Sequence, residues 1–150
     1  MDLQELYQEV ILDHNRHPRN RGRVSDANHQ ASGYNPLCGD MVALTLHTDG
    51  DLITEVAFDG EGCAISTASA SMMTEAVKGK TVAEAEEIFR AFQKMVTSPG
   101  KEPEISGVLD DELQALAGVR GLPVRIKCAI LPWHALHAAL SGDTKEVTTE

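Results

Sequence analysis

MVALTLHTDGDLITEVAF, residues 41–58, decides the fold class. Val42, Leu44 and Leu46 alternate with smaller or polar residues. Asp49-Gly50 then supplies a tight turn, and Leu52, Thr54, Val56 and Phe58 alternate again. Successive side chains of a strand point to opposite faces, so the pattern describes two half-buried strands. Asp-Gly between such runs is a hairpin signature, because both central positions of the favoured turn take positive φ. Gly60-Glu61-Gly62 is expected to break the second strand.

Helical periodicity frames this hairpin. Upstream, Leu3, Leu6, Tyr7, Val10 and Ile11 recur at helical spacing, and this first helix is expected to end before HNRHPRNRG at 14–22. Residues 23–37 are polar and rich in turn formers and read as a lead-in without a strand. Downstream, Cys63 to Val77 reads as a helix of small residues that approaches the sheet closely. Gly79 ends it, and Thr81 can cap a further helix over about 82–95. TSPGKEPEISG, 97–107, reads as a loop, and 110–117 as a short helix. A last helix is expected to follow Cys128, with Trp133, Leu136, His137 and Leu140 on one face and Pro132 in its first turn, where a missing N–H costs least. The order predicts an α+β fold, a small antiparallel sheet with helices packed on one face, as a single domain over 1–150.

Composition narrows the function. Thirteen Lys and Arg against twenty-three Asp and Glu leave a net charge of −10, which argues against nucleic-acid binding. Aromatics are only 4%, so the core must rest on aliphatic residues and Met. No run reaches the roughly 20 apolar residues of a membrane helix, and no signal peptide is visible. A cytoplasmic, reducing location is the expectation. Three cysteines cannot all pair, which makes the thiols the question to answer.

Each thiol lies at a boundary between expected elements. Cys38-Gly39-Asp40 precedes the first strong strand, Cys63 follows a Gly-x-Gly turn and opens a helix, and Cys128 is expected to open the last helix. A thiol at a helix N-terminus meets unpaired N–H groups and the positive end of the dipole, which favour thiolate. Three thiolates and the Asp40 carboxylate could close a tetrahedral zinc site, or give two ligands to each iron of a 2Fe–2S cluster. Three buried small thiols without a metal remain the simpler alternative. His14 with His17, and His134 with His137, lie three residues apart, yet neither pair has an evident third partner. Arg125 and Lys127 flank Cys128, as surface charge or as a means of holding a thiolate.

The segments YNPLCGD (34–40), GEGCAISTASASMM (60–73) and RIKCAILPWHAL (125–136), with Tyr7, Asp13-His14, Pro18-Arg19-Asn20 and Gly22, resemble the U-type iron–sulfur cluster assembly family over nearly the whole chain. Within it the chain looks most like the SufU branch. The IscU branch carries His immediately before its third Cys, where this chain has Lys127, and it lacks a segment like that from about Pro99 to Gly118. The Leu-Pro-Pro-Val-Lys chaperone signal of IscU is matched here only by Leu122-Pro123-Val124-Arg125. The resemblance implies zinc held by Cys38, Asp40, Cys63 and Cys128, and persulfide sulfur taken from a SufS-type cysteine desulfurase. It implies Cys38 as sulfur acceptor once the partner supplies a His to zinc, with Arg125 supporting the site. Cys128 is the alternative acceptor, and downstream Suf assembly components are further partners. A scaffold that builds and transfers a transient 2Fe–2S cluster, with iron in place of zinc, is the other function the family implies.

Overall fold

The computed structural model describes residues 2–100, 102–142 and 146–149. Helix α1 (Leu3–Arg16) opens the chain, capped by Asp2, whose side chain accepts the Glu5 N–H at 2.8 Å. The side chain of Leu3 lies outside the described residues; Val10 and Ile11 are buried. Instead of stopping before residue 14, the helix runs on to Arg16. His14 is buried in its last turn, bonded to Ser71 and Glu112.

Strands β1 (His29–Asn35), β2 (Asp40–Asp49) and β3 (Leu52–Glu61) follow. The expected hairpin is β2–β3, in antiparallel register from Met41↔Glu61 to Asp49↔Leu52, with an irregularity at His47/Thr48. Positive φ occurs at Gly50 of the turn and not at Asp49. Gly60 does not break β3: it pairs with Val42 inside the strand at φ +135°, where a Cβ would collide with the Met41 carbonyl.

Strand β1 was not expected from the polar stretch 23–37. Its inward residues are Ala31, Gly33 and Asn35, too small or too polar to read as a buried strand. Gly33 suits its position because a Cβ there would stand 2.9 Å from Leu131 Cδ1. A short β4 (Val147–Thr148) adds a parallel pair on β1, so the sheet order is β3-β2-β1-β4 and the sheet is not wholly antiparallel.

Helix α2 (Ala64–Val77) and the last helix cover the face carrying Val42, Leu44, Leu46, Val56 and Phe58. Between them run α3 (Val82–Thr97), opened by a Thr81/Glu84 capping box, and the short α4 (Asp111–Ala115) with a 3-10 turn over Leu116–Gly121. Phe92 of α3 stacks on Trp133 with ring centroids 4.7 Å apart. The α+β class and the helical layer on one sheet face are therefore as expected.

The last helix, α5 (Pro123–Leu140), departs from expectation. Pro123 takes its first turn, which places Cys128 in the second turn and Pro132 in the interior. An interior proline costs about 3 kcal/mol. Burial of Ile130, Leu131 and Trp133 around it offsets that cost. Ser69 of α2 fastens this region by donating to the Ala129 carbonyl and accepting the Trp133 indole N–H at 3.1 Å. Among the described residues no helix is long and apolar enough to cross a membrane.

Candidate metal centre

The β1–β2 connection is a four-residue turn, Pro36–Gly39, between the paired residues Asn35 and Asp40. Pro36 disfavours helical backbone at Asn35 and so helps end β1 in extended form. Gly39 turns the chain at φ +72° and donates its N–H to the Asn35 carbonyl at 2.9 Å. Cys38 rides on this turn, half-buried, beside the exposed Leu37.

Asp40 begins β2 and is fully buried. Its Oδ1 accepts the Cys63 N–H at 2.8 Å and its Oδ2 accepts Asn35 Nδ2–H at 3.0 Å, leaving a lone pair on each oxygen. Cys63 is the N-cap of α2: its Sγ accepts the Ser66 N–H at 3.4 Å. The helix opening at Cys63 is what the local sequence predicts, but Gly60 and Glu61 belong to β3, so only Gly62 separates strand from cap.

Cys128 reaches the same place from α5, with its Sγ 3.4 Å from Cys38 Sγ and 3.5 Å from Asn35 Nδ2. Cys38 Sγ, Cys128 Sγ and an Asp40 oxygen all lie within 4.8 Å of one another. Cys63 stands beside this triangle without completing a foursome at that distance. The structure thus brings three of the four expected ligands together and sets the fourth next to them.

Cys128 does not enjoy the helix N-terminus expected for it. It lies inside α5, and burial first, then contacts with Asp40, Cys38 and Cys63, push its thiol well above the usual range. Arg125 lies one turn earlier on the solvent side. Its guanidinium is held charged first by Cys63 and then by the nearby Cys128 sulfur. The donor set fits a divalent metal that tolerates sulfur. Tetrahedral zinc with Zn–S near about 2.3 Å holds two sulfurs about 3.8 Å apart, close to the separation of Cys38 and Cys128.

The histidines serve elsewhere. His137 pairs with Glu86 at 2.8 Å and stacks on Phe89, which His134 meets edge-on. His14 comes within 4.8 Å of Asp13 and Glu112, a convergence the sequence did not suggest. These groups are already engaged: Arg19 holds Asp13 at 2.7 Å, and His14 bonds Ser71 at 2.7 Å and Glu112 at 3.1 Å. Asn35 is the site residue that sequence reasoning missed. Its signal was an Asn before Pro at the mouth of a turn that ends in Asp.

The family model described as NifU-like N terminal domain matches residues 6–128. The chain belongs to that family. Zinc-dependent sulfurtransferase SufU of Bacillus subtilis (strain 168) is 45% identical over 142 residues, covering 95% of this chain and 94% of the relative. Iron-sulfur cluster assembly scaffold protein IscU of Streptococcus pyogenes serotype M1 is 44% identical over 150 residues, covering 99% and 92%. The crystal structure of a putative iron-sulfur cluster assembly scaffold protein for the SUF system, from Fervidobacterium islandicum AW-1, superposes with a TM-score of 0.80 at 36% identity, covering 91% of this chain and 98% of that one. The NifU-like N-terminal fold thus carries the motifs quoted above, and relatives named SufU and IscU stand at nearly equal identity.

Proposed function

We propose that this protein is a zinc-dependent sulfurtransferase of iron–sulfur cluster assembly, taking persulfide sulfur on Cys38 from a SufS-type cysteine desulfurase. Zinc would be held by Cys38, Asp40, Cys63 and Cys128, and would supply a redox-silent charge that keeps thiolates deprotonated. The observation that carries the reading is a difference among the sulfurs. Ser66 N–H donates to Cys63 and Asn35 Nδ2–H to Cys128, whereas among the described residues Cys38 Sγ accepts only the Cys128 S–H, a bond that is lost once Cys128 is a thiolate. Hydrogen bonds to a thiolate draw off the charge that makes it nucleophilic, so Cys38 keeps the most. It also sits on an accessible turn.

The step balances without an added oxidant or reductant. The Cys38 thiolate attacks the terminal sulfur of the partner's persulfide, the partner's S–S bond breaks, and its cysteine leaves as thiolate. Cys38 is left as a persulfide. Arg125, fully charged beside the thiolates, screens their mutual repulsion. The name of the Bacillus relative supports this reading, and a cytoplasmic setting that keeps thiols reduced goes with it.

A scaffold that assembles a 2Fe–2S cluster on the same residues is the second reading, favoured by the name of the Streptococcus relative. Lys127, where the motif resemblance puts His in the scaffold branch, favours the first. Metal analysis followed by a desulfurase-stimulation assay separates the two. Zinc-loaded, colourless protein should accelerate the desulfurase, and Cys38→Ser should keep its fold yet accept no labelled sulfur. A reconstituted brown protein that passes its cluster to an apo-acceptor, with zinc blocking it, would overturn the sulfurtransferase reading. Label persisting in Cys38→Ser on Cys128 would move the acceptor there.

A further inference from the structure

Asn35 is fully buried, and its side chain is shared among three parts of the centre. Nδ2 donates to Asp40 Oδ2 at 3.0 Å and to Cys128 Sγ at 3.5 Å, and Oδ1 accepts the Leu37 N–H at 3.3 Å. Its backbone carbonyl accepts the Gly39 N–H. A residue needed only to close the turn would require the Leu37 and Gly39 bonds. The amide hydrogens instead go to two prospective ligands, one on β2 and one on α5, which no other described side chain joins in this way. Only a neutral amide serves here. A carboxylate would set a further negative charge against Asp40, and an apolar residue would leave Asp40 Oδ2 without its donor.

We propose that Asn35 is a positioning residue of the metal centre, its buried amide orienting Asp40 and the Cys128 sulfur for a metal while tying down the turn that carries Cys38. This rests on the reading of the site as a metal centre. The Asp40 carboxylate is gripped from both sides, by Asn35 and by the Cys63 N–H, so the lone pair left on each oxygen has a fixed direction. Partners of this kind fix ligand orientation, and their loss typically weakens metal binding by roughly 10–100-fold.

Two substitutions separate orientation from turn closure. Asn35→Asp keeps size and the acceptor for Leu37 N–H, but even with a proton shared against Asp40 it can donate to only one of Asp40 and Cys128. Asn35→Leu removes acceptor and donor alike. Zinc affinity is measured by chelator competition, cobalt(II) absorption reports the sulfur-to-metal charge transfer, and apo melting reports stability. Both variants should bind zinc roughly 10–100-fold more weakly, and the cobalt band should move to longer wavelength as the thiolate loses its N–H donor. Asn35→Asp that binds zinc as well as wild type, or either variant with an unshifted cobalt band, overturns the proposal and leaves Asn35 a turn residue. Wild-type protein supplies a readout independent of variant folding. By NMR, the Asn35 side-chain amide should exchange slowly with zinc bound and shift when cadmium replaces it; an amide indifferent to the metal overturns the proposal. Wild-type protein that binds no zinc would sink the metal-centre reading itself, whereas tight wild-type binding with unaffected variants sinks the role of Asn35 alone.

Discussion

Gly62→Ala disturbs the centre without removing a ligand. The added Cβ would stand 2.8 Å from Asp40 Oδ1, 3.0 Å from Ser66 Oγ and 3.3 Å from Asp40 Cβ. Gly62 is outside the positive-φ region, so the effect is steric and not a matter of backbone strain. Ordinary contact begins near 3.4 Å, so the carboxylate must retreat by about 0.6 Å. It has little room, being fully buried and bonded at both oxygens. The bond most exposed to the shift is Cys63 N–H to Oδ1, now 2.8 Å. A hydrogen bond to a charged acceptor is worth about 1.5–3 kcal/mol, and each 1.4 kcal/mol is tenfold in affinity. Zinc should therefore bind roughly tenfold to a hundredfold more weakly to Gly62→Ala. Competition with a chromophoric chelator measures this, with apo melts recorded in parallel. A variant that melts like wild type and binds zinc equally well would refute the reasoning, because Asp40 would then not be held where the metal needs it.

Three further outcomes follow from the packing. Gly33→Val should cost about 1–3 kcal/mol by overfilling the contact with Leu131, Val147 and Val42, seen as a lower melting temperature. Ser69→Ala leaves the buried Trp133 indole N–H without its acceptor and should cost about 1–3 kcal/mol in urea unfolding, followed by the fluorescence of the only tryptophan. Asp13 is held below its ordinary pKa by its hydrogen bond to Arg19. A depressed folded pKa means its contribution is present above the unfolded carboxylate value and is lost as pH falls through the folded one. Asp13→Asn should thus unfold at lower urea than wild type at neutral pH, with the gap closing in acid; a gap that persists in acid would rule the ion pair out as its source.

The β2–β3 hairpin, the α2 cap at Cys63 and the Thr81 cap were legible because each depends on neighbours in sequence. Strand β1 was not. Its inward side is shaped by Leu131 and Val147, brought in from far along the chain, and nothing local marks Gly33 as a strand residue. The start of α5 was misplaced because two prolines competed for its first turn, and only the buried flank of Pro132 shows why Pro123 took it. That shift changed the chemistry assigned to Cys128, from an activated thiol at a helix end to a buried one. Asn35 could not be ranked from sequence because its two N–H partners lie five and ninety-three residues away.

The supports of the three sulfurs set how quickly each can move. Cys38 rides on a four-residue turn, Cys63 on a helix cap and Cys128 within the buried part of a long helix. Turns rearrange in about nanoseconds to microseconds, while shifting a residue inside a packed helix waits on local unfolding, on the order of microseconds to seconds. If Cys38 is the sulfur acceptor proposed above, an incoming donor would meet a fast thiol backed by slow ones. The handoff would then keep pace with the encounter while the rest of the centre holds its shape.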